Sequence, residues 1–153
     1  MSKEKFLQAE LVKTISGIAI NCQPAWGKMN LQQMTEHMSR DAFRVANGKV
    51  TFPLMTPVEH IPKMQHFNMS DRLFKENTVN RLMAAEPVRE VHPDITAALT
   101  ELQTEIDDFF AVYKEQPELK IVNPFFGALT YEMQVNLLYK HALHHLRQFH
   151  VVL

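Results

Sequence analysis

Four stretches of this chain place an apolar residue at every third or fourth position, and none alternates apolar with polar over the length of a strand. That pattern points to packed helices, because a 3.6-residue period gives a helix one buried stripe, whereas a two-residue period gives a strand one buried face. The first stretch runs from Ser2 to about Ile20, with Leu7, Leu11, Ile15 and Ile18 as its stripe. Gly17 weakens it by about 1 kcal/mol relative to alanine. Pro24 and Gly27 then break the period. Asn30, with Gln33 three residues later, has the form of a capping box, so a second helix should start at Leu31. Its stripe is Leu31, Met34, Met38, Ala42 and Val45, and Asn47-Gly48 suits the left-handed turn that ends helices, after about Ala46. Pro93-Asp94 opens a third helix, with Ile95, Leu99, Leu102, Ile106, Phe109 and Tyr113 in register until Pro117. After a loop with Asn123-Pro124 and Gly127, Thr130 can cap a fourth, from Tyr131 to about Phe149.

Five of the eight prolines fall between Lys49 and Pro93, where the apolar residues keep no long period. This reads as a long crossover between helices 2 and 3, with one or two short helices around Val58 to Phe67 and Thr78 to Ala85. The expected fold is therefore all-α, a four-helix bundle formed by one domain over residues 1–153. Sixteen Lys and Arg against seventeen Asp and Glu give a formal charge of -1, so no broad positive field exists to gather nucleic acid. No apolar run approaches the roughly 18 to 20 residues that span a bilayer, and charges interrupt the start where a signal peptide needs an apolar stretch. A cytoplasmic location is expected. The single cysteine, Cys22, excludes an internal disulfide and any site built from several thiolates, and reads as a buried or interfacial thiol.

The chemistry concentrates on the fourth helix. At 100° per residue, Tyr131, Gln134, Leu138, His141, Ala142, His145 and Phe149 share one sector, with Asn136, Lys140 and Arg147 opposite. His141 and His145 thus face the core one turn apart, the spacing at which two imidazoles hold one metal ion. Two ordinary buried histidines, satisfied by neighbouring hydroxyls or amides, are the alternative. A third ligand would come from His37, at the edge of the second helix's stripe; a plain boundary histidine is its alternative. His144 points about 100° away from His145, toward supporting or surface roles, and His60, His66, His92 and His150 read as solvent-facing. The Glu-x-x-His pairs of di-iron bundles are absent, as are HExxH, CxxC, GxSxG and a phosphate-binding GxxxxGK[ST]. The nine methionines read first as core filler and second as a pliable pocket.

Two segments carry a resemblance. WGKMNLQQMTEHM, from Trp26 to Met38, resembles the tryptophan, polar cap and histidine-bearing helix of the DinB-like superfamily of metalloenzymes. NPFFGALTYEMQVNLLYKHALHHLRQF, from Asn123 to Phe149, resembles its closing helix, and the wording is similar to a bacterial branch defined only as a domain of unknown function. The resemblance implies an up-down-down-up bundle with one divalent metal ion, zinc or nickel, on three histidines, which by position are His37, His141 and His145. Many members follow the second histidine directly with Arg-Gly-Gln; here the order is His145-Leu146-Arg147-Gln148, which leaves Arg147 without an assigned role.

Metal-bound imidazoles usually donate their outer N–H to an oxygen, and helical spacing nominates Asp41, Gln134, Gln148 and Tyr131 for that support. Trp26, Met34, Phe125, Phe126 and Leu138 are the expected walls of a pocket for a small-molecule substrate. The resemblance implies, as the first reading, thiol-dependent S-transfer to a small electrophile, with a low-molecular-weight thiol as cosubstrate. Metal-dependent hydrolysis is the second reading, and a non-catalytic, metal-stabilised binding module the third. A homodimer is left open as the assembly.

Overall fold

The computed structural model of the chain describes residues 1–78 and 83–153. Among these are five helices and one small sheet. Helix α1 comprises an α segment Lys3–Lys5, a π-helical stretch Phe6–Glu10 and an α segment Leu11–Ser16. Helix α2 has the same three-part build, Leu31–His37, Met38–Phe43 and Arg44–Ala46. A 3-10 turn Val58–His60 leads into α3, Ile61–Met69. Then come α4, Ile95–Glu115; the strands β1, Ile121–Asn123, and β2, Gly127–Leu129; and α5, Tyr131–Gln148. None of the described helices is long and apolar enough to cross a membrane.

The π stretches follow from the spacing of the stripes. Leu7, Leu11 and Ile15, and likewise Met34, Met38, Ala42 and Ala46, are set four residues apart, and all are buried. A spacing of four exceeds the 3.6 residues of an α turn, so such a row drifts around a uniform α-helix. The wider turn of a π stretch, closed by bonds such as Arg44 N–H to Ser39 O, takes up that drift and keeps the row on one face.

The caps form as the side chains dictate. Asn30 and Gln33 make the reciprocal capping box of α2, Asp94 accepts from the amide of Ala97 at α4, and Thr130 accepts from the amide of Met133 at α5. Pro93 stands just before the cap rather than in the first turn. The first helix ends at Ser16, short of the expected Ile20, and Ile20 is exposed. The short helix expected around Val58 to Phe67 is the 3-10 turn and α3. The one expected from Thr78 to Ala85 falls on residues 79–82, outside the described residues.

The β1–β2 hairpin corrects the expectation of a strand-free chain. Ile121 lies opposite Leu129, Val122 opposite Ala128 and Asn123 opposite Gly127. Strands of three residues are too short to show an alternating pattern, and the turn itself makes the hairpin. The side-chain oxygen of Asn123 accepts from the amides of Phe125 at 2.9 Å and Phe126 at 3.1 Å. Gly127 takes φ of +76°, which closes a three-residue loop.

One apolar core joins Leu7, Leu11 and Ile15 of α1, Met34 and Met38 of α2, Leu102, Ile106 and Phe109 of α4, and Leu138, Ala142 and Leu146 of α5. A second cluster, Phe126, Leu129 and Leu137 with Met64, Phe67, Phe74, Phe125 and Met133, lies where α3 and the hairpin meet α5. α3 is fastened there by Asn68, whose amide donates to Met133 O at 2.9 Å, and by Gln65, which donates to Phe126 O at 3.0 Å. Its docking corrects the expectation for Lys140: α3 covers that side of α5, and the lysine is 5% exposed. The crossover returns to α2 through Glu36, a buried carboxylate that accepts from the amides of Val91 at 2.8 Å and His92 at 2.7 Å.

Candidate metal centre

α2 and α5 bring three imidazoles together. His37 is the last residue of the capped first segment of α2, and His141 and His145 occupy successive turns of α5. The Nε2 atoms of His37 and His141 are 3.2 Å apart, and those of His141 and His145 are 2.9 Å apart. The ligand atoms of the three all lie within 4.8 Å of one another. His37 is 3% and His145 6% exposed, whereas His141 is partly exposed, so the cluster is reached from the His141 side.

The outer nitrogens decide what the inner ones can do. His37 Nδ1 donates to Asp41 Oδ2 at 2.9 Å, since an ionised carboxylate only accepts. His145 Nδ1 is 2.9 Å from Gln148 Oε1, and the amide's orientation is fixed because its Nε2 donates to Trp26 O at 2.8 Å. Both histidines therefore carry their proton on Nδ1 and turn an Nε2 lone pair toward His141. A single His141 Nε2–H can satisfy only one of the two. A cation satisfies all three at once, and ligands about 2.1 Å from a common ion stand about 3.0 to 3.4 Å apart. The donor set, three neutral imidazoles without thiolate or clustered carboxylate, suits zinc or nickel.

Arg40 completes the support of His37. Its Nη2 donates to Asp41 Oδ2 at 2.8 Å and its Nε reaches both carboxylate oxygens at 3.2 Å. Burial acts to raise the Asp41 pKa, but the hydrogen bonds from His37 and Arg40 outweigh it and hold the group below the usual carboxylate range. Burial lowers His141 to about 3, with repulsion from His37 and His144 adding to it and Asp41 opposing. Burial, then the neighbouring His141 and His37, puts His145 well below its ordinary value.

These shifts set a pH dependence for the metal-free protein. In the unfolded chain the histidines take up protons below about pH 6.5, whereas folded His141 and His145 stay neutral. The unfolded state then binds more protons, so stability is intact above that pH and falls as the pH drops toward 3. The slope is about 1.4 kcal/mol per pH unit for each such histidine. Urea midpoints of metal-free protein should be level from pH 8 to 7 and fall steadily from 6.5 to 5. A level midpoint over the lower range would contradict the burial of these imidazoles.

Of the four expected supporting residues, Asp41 and Gln148 stand at the imidazoles and two do not. Gln134 is two turns before His141 and donates to Ile121 O at 3.4 Å. Tyr131 is farther still, its hydroxyl donating to Glu4 at 2.6 Å and its ring packed on Phe109. Sharing a sector of α5 does not place a residue at the same height along it. The five expected pocket residues also divide. Met34 and Leu138 belong to the main core, one turn before His37 and His141, Phe125 and Phe126 belong to the second cluster, and Trp26 is edge-on to His144 at 5.5 Å and accepts from Gln148. Two open surface hollows of about 320 Å³ adjoin Tyr131, one lined by Gln8, Phe110 and Lys114 and the other by Lys3, Glu4 and Asn136; neither touches the histidines.

His144 is wedged between Trp26 and Phe74, and burial followed by the charge of Arg147 lowers its pKa. His60, His66 and His150 are exposed as expected, but His92 is partly buried and pairs with Glu101. Cys22 is partly buried, its sulfur 3.9 Å from Phe149 O. Sequence reasoning missed Arg40, whose only signal is its place beside Asp41, and Phe74, which sits in the aperiodic crossover and has none. No protein-family model, curated protein or solved structure matches the chain.

Proposed function

We propose that the chain is a metal-dependent enzyme that uses His37, His141 and His145 to hold one divalent zinc or nickel ion and transfers a low-molecular-weight thiol to a small electrophile. The convergence of three Nε2 atoms, with the outer nitrogens of His37 and His145 already committed to oxygens, carries the metal reading. An ion bound there supplies Lewis acidity, which lowers the pKa of a thiol or a water at neutral pH. Asp41 and Gln148 orient the imidazoles and Arg40 fixes the carboxylate. Trp26, His144 and Phe74 wall the approach from the His141 side and limit water there. The same donor set serves hydrolysis, the second reading. The burial of two of the three imidazoles, with the open hollows elsewhere, favours the third, a metal-stabilised binding module.

The proposal extends to the fold: α1, α2, α4 and α5 would form a four-helix bundle of the DinB-like, up-down-down-up kind, with α3 as an addition in the crossover. The single apolar core shared by those four helices supports it. A cytoplasmic location belongs to the same proposal.

Zinc- and nickel-loaded protein incubated with a panel of electrophiles, with and without bacillithiol, mycothiol, glutathione or cysteine, tests the reaction. Turnover that requires both metal and thiol is the expected result. Turnover that ignores thiol moves the assignment to hydrolysis, and none with any combination moves it to the binding module. Asp41→Asn should weaken metal binding about 10- to 100-fold, because the amide is a poorer acceptor for His37 Nδ1–H. Competition against a chromophoric chelator measures it, and unchanged affinity would remove Asp41 from the centre.

A further inference from the structure

The accessible side of the histidine cluster is roofed by a ring from none of the elements that build it. Phe74 lies in the irregular segment after α3, and its ring stands edge-on to His141 at 6.3 Å and to His144 at 6.0 Å. It also packs on Phe67 at 5.6 Å and Phe126 at 6.5 Å. Its neighbours Asp71, Arg72, Leu73, Lys75 and Glu76 are exposed, so little apolar burial other than that of Phe74 itself holds the segment down.

Lys140 holds it instead. The ammonium donates to Phe67 O at 3.3 Å, to Ser70 O at 2.8 Å and to Arg72 O, and lies 4.6 Å over the Phe67 ring. Three N–H donors meet three carbonyl acceptors, which exhausts the donors of the group. These carbonyls lie where α3 ends, the part of a helix that favours a cation; Phe67 O also accepts from the Ser70 amide and hydroxyl, while Ser70 O and Arg72 O are met by the ammonium. Without the ammonium, the carbonyls of Ser70 and Arg72 lose the donor that ties them to α5 and turn to water instead, which frees the segment to lift.

We propose that Lys140 is the clasp of a gate: by holding Ser70 to Arg72 against α5 it keeps Phe74 over His141 and His144, and the segment from Ser70 to Glu76 lifts to admit a substrate. Admission of a substrate rests on the metal-centre reading; the clasping of Phe74 over His141 does not. The test therefore uses metal-free protein and diethyl pyrocarbonate. Modification of His141 is followed by peptide mass spectrometry, with exposed His60 as internal reference. Lys140→Met and Phe74→Ala should each accelerate modification of His141 relative to His60 by about fivefold or more, while circular dichroism is unchanged. Trypsin should also cut faster after Arg72 and Lys75 in Lys140→Met. A His141 rate within twofold of wild type in either folded variant overturns the proposal. Should Lys140→Met fail to fold, Phe74→Ala, which leaves the clasp intact, decides alone. Metal content measured separately on wild type tells a failure of the metal reading from a failure of the clasp.

Discussion

Replacing His141 with alanine should reduce bound zinc or nickel from near one ion per chain to below about a tenth of that. The expectation follows from the place of His141 between the other two: it is 3.2 Å from His37 Nε2 and 2.9 Å from His145 Nε2, so without it the cluster loses its middle member. The helix should survive, because alanine is a good helix former and His141 is only partly buried. Elemental analysis after gel filtration, with circular dichroism as the folding control, measures the effect. Equal metal in both proteins would discard the centre. Binding to the folded state alone also stabilises it, by about 2.7 kcal/mol when free metal is 100 times its dissociation constant. Added zinc should then raise the urea midpoint of wild type and leave that of His141→Ala unmoved.

Phe109→Ala should cost about 3 to 5 kcal/mol, a large part of the 5 to 15 kcal/mol by which a domain of this size is stable. Phe109 is fully buried in α4 and packs on Phe43 of α2 at 6.2 Å and on Tyr131 of α5 at 6.1 Å. Truncation leaves a cavity that three helices would have to close together. Urea denaturation should show a large drop in midpoint with the slope unchanged. A loss below about 1 kcal/mol would mean that the surrounding rings collapse into the space. Metal affinity should hold in the folded fraction, because the rings that Phe109 packs on, Phe43, Phe110, Tyr113 and Tyr131, are not the hydrogen-bond partners of the three histidines.

The extent to which the site was legible in the sequence depends on which residue is asked about. His141 and His145 were readable because an i, i+4 pair on a stripe needs only the helix to exist. Gln148 and Asp41 were readable for the same reason, each lying within one turn of a histidine on its own helix. Gln134 and Tyr131 share the sector but lie two turns and more away, and a projection down the helix axis discards that height. The helical wheel sets Lys140 outside because it lies opposite the histidine sector; the cover comes from α3, about seventy residues earlier in the chain.

The sequence by itself determined the local events: where α2, α4 and α5 begin, through Asn30, Asp94 and Thr130, and which faces of the helices turn inward. These depend on interactions within a few residues, whose energetics the neighbouring side chains specify. Only the tertiary structure decided that His37 meets the α5 pair and that Phe74 roofs the cluster. Each of these depends on how separate helices share one packed volume. Closing loops of tens of residues is repaid by contacts that no local pattern encodes.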